Sequence, residues 1–308
     1  MLDFSTDFIC YEMRQRGLDY VRINRDCFSN YLLKYDVTEH KLTILMHETE
    51  YTVTSDELKA VFFRAPVFLR TNKAYSVEQQ LYRSQWSSFI RNLTVFSRAR
   101  WLNHPMNTYQ AENKVYQLDV AKNVGMRIPK TVITNDVTCL SSNQDSNFVI
   151  KALDTPLFYD NGQEMFTYTS VVNKNEVGSI SLVQAPVILQ EYLKNKIDIR
   201  VTVVGKKIFP VAIMQNSRGI DGDWRKRKKD ELQFIPIEIP VSVKEKLLKL
   251  MNAMHLSFGG IDLAYVEGMY YFIEVNPTGE WGWLVNTAGL SIHKAIVDWL
   301  VGANVEDV

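Results

Sequence analysis

Several features that would point to common functional classes are missing from the sequence. The 308 residues contain three cysteines, Cys10, Cys27 and Cys139, which form no CxxC motif and have no histidine at metal-ligand spacing. Isolated cysteines in odd number predict small buried side chains in a reducing compartment, not a disulfide framework or a zinc site. We therefore expect a cytoplasmic protein.

Long apolar runs and an excess of charge are missing as well. No segment approaches the roughly 20 apolar residues that a membrane-spanning helix needs, and the N-terminus carries acids where a signal peptide has bases. The chain has 35 basic and 35 acidic residues, which gives a net charge of zero. This balance argues against bulk attraction to nucleic acid or to an anionic membrane. No Ser/His/Asp or Cys/His arrangement suggests a covalent nucleophile.

The sequence does contain enough apolar material for more than one domain. Hydrophobic residues make up 46% of the chain, and a chain of 308 residues is expected to fold as two or three domains. We expect an α/β domain over residues 1–106, followed by two α+β units over residues 107–188 and 189–308. The first boundary follows from the polar, proline-containing stretch Trp101–Lys114.

Local patterns predict the secondary structure of the first domain. A helix capped by Thr6 ends at Gly17, and a long amphipathic helix covers Ser76–Ser97. Three strands are expected, over Tyr20–Asn24, Lys41–His47 and Ala60–Phe68, the last ending at an X-Pro break.

The rest of the chain mixes helices with strands, and two hairpins come late in it, which is typical of an α/β plus α+β protein. Helices are predicted at Ala111–Gly125, Val241–His255 and Ser291–Gly302. Strands are predicted at Lys130–Thr134, Asn147–Leu153 and Ala185–Leu193, with a polar turn at Asn173–Ser181. The hairpins are Asp198–Met214, which turns near Gly205, and Gly259–Asn276.

The second hairpin ends in an unusual way, in the stretch YYFIEVNPTGEW. Glu274 and Asn276 are two residues apart on a strand, so their side chains point to the same face. With a plain two-residue turn at Glu267-Gly268, Asp262 would lie opposite Ile273. A three-residue loop or one bulge would bring Asp262 opposite Glu274. Three oxygen donors would then suit Mg²⁺, and we predict the bulge, with a positive φ at Gly268. The ordinary alternative is a hairpin with solvated polar ends.

A nucleotide-binding site needs cations for the phosphates and an apolar slot for the base, and the sequence contains candidates for both. Lys114 lies in the first helix of the second unit, and Lys151 lies in an otherwise apolar strand, where an ammonium group needs a partner. Each could also be a surface lysine. Another apolar strand runs into Gln190, Glu191, Tyr192 and Leu193, whose backbone could read an adenine edge. Asp198 follows as a candidate for sugar hydroxyls, with Arg200 on the same face.

The order of these elements resembles the ATP-grasp superfamily from Asn107 to the C-terminus. The segments FIEVNPTGEWGWL, NHPMNTYQAENKVYQLDVAKNVGMRIPKTVIT, DWR and DFSTDFICYEMRQRGLDYVRINRD resemble one branch of it, the microviridin-type macrocyclases that mature ribosomal peptides into graspetides. In that branch an apolar strand precedes the first helix. The sequence shows none, which leaves the order of the first sheet open.

The resemblance implies an ATP-grasp fold, with two α+β subdomains that clasp ATP. It implies that Lys114 and Lys151 contact the phosphates, that Gln190 to Leu193 hold the adenine and that Asp198 holds the ribose. Mg²⁺ would be bound by Asp262, Glu274 and Asn276. Arg200 and Arg225 would meet the γ-phosphate or the substrate carboxylate, because phosphoryl transfer between anions needs forked cationic donors.

The implied reaction activates Asp or Glu side chains of a precursor peptide as acyl phosphates and links them to Thr or Ser hydroxyls or to Lys amines. The implied partner is that peptide, with a leader and an acidic, Thr-rich core; a homodimer is left open. Two alternatives remain: a ligase that adds free amino acids to a peptide or small acid, and a degenerate ATP-grasp protein that only binds or regulates.

Three further features are interpreted more simply. The run Arg225–Lys229 has five consecutive cations, which form either a solvated loop or a loop that meets an acidic peptide. Arg64 resembles an Arg-x-Pro element of the family and is expected to be structural, at the domain junction. Trp281 and Trp283 are expected in the core.

Overall fold

The computed structural model describes residues 3–64, 75–136, 147–154, 157–160, 163–166, 168–173 and 184–303. None of the helices in these ranges is long and apolar enough to cross a membrane. Cys10 is buried and Cys27 half-buried, as expected for reduced cysteines, whereas Cys139 lies outside the described residues.

The N-terminal part contains a small antiparallel sheet and a parallel strand pair. Its elements are α1 (Phe4–Gln15), β1 (Leu32–Asp36), β2 (Lys41–Met46), β3 (Thr49–Thr54), β4 (Ala60–Phe62), α2 (Val77–Asn92) and β5 (Arg100–Leu102). The sheet has the order β1-β2-β3, and β4 pairs in parallel with β5.

Two predictions for this part are wrong. Tyr20–Asn24 is not a strand, and the strands that flank β2 are the half-exposed β1 and β3, whose apolar alternation is weak. Thr6 is not the helix cap. The cap is Asp3, whose Oδ1 accepts from the Thr6 amide at 3.1 Å and whose Oδ2 accepts from the Thr6 hydroxyl at 2.6 Å.

Other predictions for this part hold in whole or in part. Gly17 ends α1 with a φ of 65°. The α2 helix begins at a capping box of Ser76 and Gln79 and is followed by a short 3-10 turn. Of the predicted Ala60–Phe68 strand, Ala60–Phe62 is a strand and Phe63 and Arg64 are not, while residues 65–74 lie outside the described part.

The middle of the chain contains the elements α3 (Pro105–Ala111), α4 (Lys114–Asn123), β6 (Thr131–Thr134), β7 (Asn147–Lys151), β8 (Leu157–Asp160), β9 (Gln163–Phe166), β10 (Ser170–Asn173) and β11 (Val187–Glu191). Four of the strands form an antiparallel sheet of order β10-β7-β11-β6, and β8 and β9 form a separate hairpin. The predicted helix over Ala111–Gly125 is thus α4, with α3 before it. The predicted turn at Asn173–Ser181 lies outside the described residues from position 174.

The C-terminal part contains the elements β12 (Ile197–Val204), β13 (Lys207–Met214), β14 (Gln233–Pro236), α5 (Val241–Ala253), β15 (Phe258–Val266), β16 (Met269–Asn276), α6 (Gly282–Ala288) and α7 (Ile292–Val301). Its strands form a five-stranded antiparallel sheet of order β14-β13-β12-β15-β16. Both predicted hairpins are present, β12 with β13 and β15 with β16.

The two faces of the five-stranded sheet are covered differently. One face packs on α5 and α4 through side chains such as Val201, Ile261 and Leu247, all fully buried. The other face packs on α7 at one end of the strands, where Phe258 lies in one buried cluster with Ile292 and Ile296. Polar side chains occupy the remaining part of that second face, which forms one wall of a cleft.

The N-terminal part shares a core with the C-terminal helices. Ile9 of α1 and Leu102 of β5 lie in the same buried cluster as Ile292 and Trp281, so the expected core position of Trp281 is confirmed. The boundaries at residues 106 and 188 stay predictions.

Candidate functional site

A cleft of about 1120 Å³ lies between the four-stranded and the five-stranded sheets. Every site residue predicted from the sequence lines it: Lys114, Lys151, Gln190, Glu191, Tyr192, Leu193, Asp198, Arg200, Arg225, Asp262, Glu274 and Asn276. The structure thus brings together twelve residues that are spread over more than 160 positions of the chain.

The oxygen-donor end of the cleft depends on a bulge in the β15–β16 hairpin. The turn has two residues, Glu267 with a φ of 48° and Gly268 with a φ of 85°. Leu263 pairs with Phe272 but Asp262 pairs with Glu274, so Ile273 is the extra residue. The predicted bulge, the positive φ at Gly268 and the position of Asp262 opposite Glu274 are confirmed.

Asn276 joins the two carboxylates. Its Nδ2 lies 3.2 Å from Oε1 of Glu274 and 3.3 Å from Oδ2 of Asp262. On β15, Gly260 pairs with Asn276. A Cβ at Gly260 would lie 2.8 Å from the guanidinium carbon of Arg200. Gly260 therefore leaves the space in which Arg200 reaches Asp262.

Both carboxylates are paired with cations. Lys114 Nζ lies 2.5 Å from Glu274 Oε2, and Arg200 Nη1 lies 2.7 Å from Asp262 Oδ1. Burial alone would raise the pKa of the Glu274 carboxyl, but Lys114, Lys151 and Arg225 hold that pKa well below its usual range. Burial raises the pKa of Asp262 despite Arg200, and the nearby Glu274 charge adds to the rise.

The donor set fits Mg²⁺ better than a transition metal. It consists of two carboxylates and one amide, all oxygen ligands, and no group of three His, Cys, Asp or Glu suited to a metal occurs in the described ranges. Three protein oxygens leave positions for water or phosphate, as Mg²⁺ prefers. Asn276 would present its oxygen after rotation of the amide.

Lys151 faces the same cleft from the four-stranded sheet. Its Nζ donates to Oε1 of Gln190 at 2.9 Å, and Nε2 of Gln190 donates to Thr131 Oγ1 at 3.0 Å. Burial lowers the pKa of the Lys151 ammonium, while the charges of Glu274 and Asp262 act against this. The residue is half-buried, unlike a surface lysine.

The side chains of Glu191, at the end of β11, and of Tyr192, directly after it, bind to neighbouring parts of the chain. Glu191 Oε2 accepts from the Lys130 amide at 3.0 Å, and the Tyr192 hydroxyl donates to Asp221. Burial and the Asp221 contact raise the pKa of Tyr192 to about 12. Leu193 is buried.

Asp198 is paired with a lysine that sequence reasoning missed. Lys196 contacts its carboxylate, and both side chains are mostly buried, at 18% and 17% exposure. Burial raises the pKa of Asp198, while Lys196 lowers it. Lys196 directly precedes β12, two positions before Asp198, so the two side chains are close in the sequence as well as in the structure.

Arg225 is also held by a carboxylate that was missed. Its Nε and Nη2 donate to the two oxygens of Asp223, each at 2.9 Å, and the Arg225 amide donates to Oδ1 at 3.1 Å. Asp223 is only 3% exposed and also accepts from the Thr169 amide at 3.3 Å. Only the remaining donors of Arg225 can meet a substrate.

Lys226 to Lys229 are exposed, as a solvated loop requires. Trp224 anchors the start of this run by packing against Phe234 and Trp283, with ring centroids 6.3 and 5.9 Å away. Trp283 is half-buried in this aromatic cluster and also lines the cleft.

Solved structures with this architecture are known. The macrocyclase MdnC of Microcystis aeruginosa MRC, bound with the precursor peptide MdnA, has a TM-score of 0.83 at 24% identity, covering 98% of this chain and 97% of MdnC. A RiPP-associated ATP-grasp ligase of Chryseobacterium gregarium, in complex with ADP and a leader and core peptide, has a TM-score of 0.82 at 25% identity, covering 97% and 93%. The macrocyclase MdnB of Microcystis aeruginosa MRC has a TM-score of 0.75 at 24% identity, covering 97% and 95%.

Sequence comparison leads to the same fold. No curated protein matches the sequence significantly. The family model of the RimK-like ATP-grasp domain matches residues 111–300, which include all twelve site residues predicted from the sequence. Because this match covers more than half of the chain, the protein belongs to the RimK-like ATP-grasp family.

Proposed function

We propose that the protein is an ATP-dependent peptide macrocyclase. It uses Mg²⁺ and ATP to activate Asp or Glu side chains of a precursor peptide and joins them to Thr or Ser hydroxyls or to Lys amines. The observation that carries the proposal is the single cleft that combines the oxygen donors Asp262 and Glu274 with Lys151 of the opposite sheet. The resemblance to peptide-bound ligases over nearly the whole chain supports it.

The residues take the following roles in this proposal. Lys151 and Lys114 contact phosphate oxygens, Lys114 from the side of Glu274. The backbone of Glu191 to Leu193 reads the adenine, and Asp198 accepts from the ribose. Asp262, Glu274 and Asn276 would hold Mg²⁺, which would supply positive charge against the phosphate oxygens. Arg200 stays on Asp262 and orients it, while Arg225 binds the carboxylate of the peptide.

The chemistry needs positioned charges and no enzyme nucleophile. A peptide carboxylate oxygen attacks the γ-phosphorus, ADP leaves, and an acyl phosphate remains. The acceptor hydroxyl or amine then attacks the acyl carbon and phosphate leaves, so the peptide loses one water for each bond. Cationic side chains at the cleft lower the repulsion between the two reacting anions.

The second enzyme candidate is a ligase that adds free amino acids. Its ATP site would be the same, and the two differ only in the acceptor. The precursor peptide bound to MdnC, and the leader and core peptide bound to the Chryseobacterium gregarium ligase, favour the macrocyclase. A degenerate, non-catalytic protein is disfavoured because all the lysine and oxygen-donor positions are filled.

One experiment separates the three candidates. The protein is incubated with ATP, Mg²⁺ and a peptide encoded by a short neighbouring reading frame with Thr- and Asp/Glu-rich repeats, and the products are weighed. Loss of one water per bond supports the macrocyclase. A gain in mass with added amino acids supports the second ligase, and an unchanged peptide without ATP turnover supports the degenerate protein.

A further inference from the structure

The carboxylate of Glu280 is held from both sides by the N-terminal part of the chain. Arg64 contacts its Oε1, and the Ser5 hydroxyl donates to its Oε2 at 2.5 Å. The Ser5 oxygen in turn accepts from the Gly282 amide at 2.9 Å. Glu280 follows the oxygen-donor strand β16 by four positions and lines the cleft.

The backbone before Glu280 is held in the same way. The carbonyl of Pro277 accepts from Asn103 Nδ2 at 3.1 Å, and that of Thr278 accepts from Arg64 Nη1 at 3.0 Å. Arg64 Nη1 is also 3.4 Å from the Gly279 carbonyl. Three consecutive carbonyls after Asn276 therefore contact side chains that come from the first 103 residues.

The other side of this loop contacts the proposed metal site. Arg200, which is paired with Asp262, places its Nη2 3.4 Å from the carbonyl of Glu280. A Cβ at Gly279 would lie 3.0 Å from the same nitrogen. Residues 277–280 thus form a loop between Arg64 on one side and the Arg200–Asp262 pair on the other.

Arg64 is suited to hold a loop in place. Its side chain is only 20% exposed, and it contacts Asp3, the cap of α1, at 3.6 Å in addition to Glu280 and two carbonyls. A planar guanidinium with several fixed donors orients such a set of acceptors better than a flexible ammonium does. Arg64 thus contacts both the N-terminal and the C-terminal part of the chain, whereas its place at a domain junction stays a prediction.

We propose that Arg64 is a positioning residue for the metal site: through Glu280 and the carbonyls of Thr278 and Gly279 it fixes the loop that begins at Asn276, and so sets the affinity for Mg²⁺. This inference rests on the nucleotide and metal part of the proposed function and not on the peptide chemistry. A purely structural role would lower thermal stability and weaken nucleotide binding with and without metal alike.

The test is calorimetric binding of ATP to the full chain, with and without Mg²⁺, for Arg64→Met, Arg64→Lys and Glu280→Gln. The matched control is Arg98→Met, which removes an exposed ion pair with Asp56 in the same N-terminal part. We expect Arg64→Met to weaken Mg²⁺-dependent ATP binding at least about tenfold, which corresponds to about 1.4 kcal/mol, and to leave metal-free binding unchanged. Glu280→Gln should give a smaller loss of the same kind, and the control none.

The lysine variant keeps the proposal testable if the methionine variant does not fold. A folded Arg64→Lys protein should restore the melting temperature but only part of the Mg²⁺ dependence. Wild-type Mg²⁺ dependence in Arg64→Lys and Glu280→Gln, or an equal loss with and without metal, overturns the proposal. Both outcomes are independent of crosslinking, so a failure of the macrocyclase assignment would be seen separately by product mass.

Discussion

Asp262 lies directly opposite Glu274 on neighbouring strands because Ile273 is a bulge. Without that extra residue the two carboxylates would lie on opposite faces of the sheet, since side chains alternate along a strand. The polar wall of the cleft thus depends on the one extra residue that shifts the pairing of the two strands. Arg200 on the next strand extends the same row, because it pairs with Asp262.

The first prediction tests the oxygen donors. Glu274→Gln and Asn276→Ala should abolish ATP turnover, because each change weakens a three-membered Mg²⁺ site. Asn276→Ala should leave the melting temperature nearly unchanged, whereas Glu274→Gln should lower it, since Lys114 loses its partner. The matched control is Glu267→Gln in the exposed turn of the same hairpin. Normal turnover in both site variants would remove the metal assignment.

The second prediction concerns Lys151. Replacement by Met keeps the apolar stem but removes the charge, so we expect the dissociation constant for ATP to rise at least about tenfold, or about 1.4 kcal/mol. Lys122→Met, an exposed change on α4, serves as the control. Fluorescence or calorimetric titration measures both. If the two variants bind ATP equally well, Lys151 is a partly buried surface lysine and not a phosphate ligand.

The strand register and most of the cleft were predictable from the sequence. Parity along β16 placed Glu274 and Asn276 on one face, and the need for three donors required the bulge that the structure contains. These inferences worked because they depend on local geometry that a strand imposes on any sequence. The strands β1 and β3 were not predictable in the same way, because their half-exposed side chains lack a clear alternation.

The ion pairs of the cleft could be predicted only in part. Lys196 with Asp198 and Asp223 with Arg225 are two residues apart, so local geometry could have found them. Lys114 with Glu274 and Arg64 with Glu280 join positions 160 and 216 residues apart. No periodicity in a single sequence specifies which distant side chains meet, since tertiary packing decides it.

The third prediction is a pH dependence of stability that comes from Asp223. Burial alone would raise the pKa of this carboxyl, but Arg225 and the amides of Arg225 and Thr169 lower it. A lowered folded-state pKa means that the contribution is fully present above the unfolded pKa of about 3.9 and is lost as the pH falls below it. Wild type should therefore be more stable than Asp223→Asn at neutral pH, by about 1–3 kcal/mol.

Denaturant unfolding of both proteins at several pH values measures this difference. The two free energies should begin to converge below about pH 4, where Asp223 of the unfolded chain becomes protonated, and the gap should close as the pH falls through the lower folded-state pKa. The control is Asp19→Asn, an exposed carboxylate. A gap between wild type and Asp223→Asn that stays constant down to pH 2 would show that the carboxylate charge does not contribute.

The last prediction concerns the step at which the peptide is bound. Arg225→Ala should bind ATP almost normally, because Lys151, Lys114 and the segment after β11 remain in place. Crosslinked product should be reduced or absent, since a charge-assisted contact of this kind is worth about 1.5–3 kcal/mol. The fold should survive, because Asp223 keeps the amides of Thr169 and of residue 225 as donors.

Two further variants identify the cause of such a loss. Arg225→Lys should restore only part of the product. Asp223 orients the Arg225 side chain through two guanidinium donors, each at 2.9 Å, and a lysine ammonium cannot reproduce that arrangement. Arg227→Ala removes an exposed cation two positions away and should change nothing.

ATP affinity and product mass are measured on the same preparation. A collapse of ATP affinity in Arg225→Ala would assign the residue to the nucleotide site. Equal crosslinking in Arg225→Ala and Arg227→Ala would assign it to the solvated cationic run and exclude a peptide clamp.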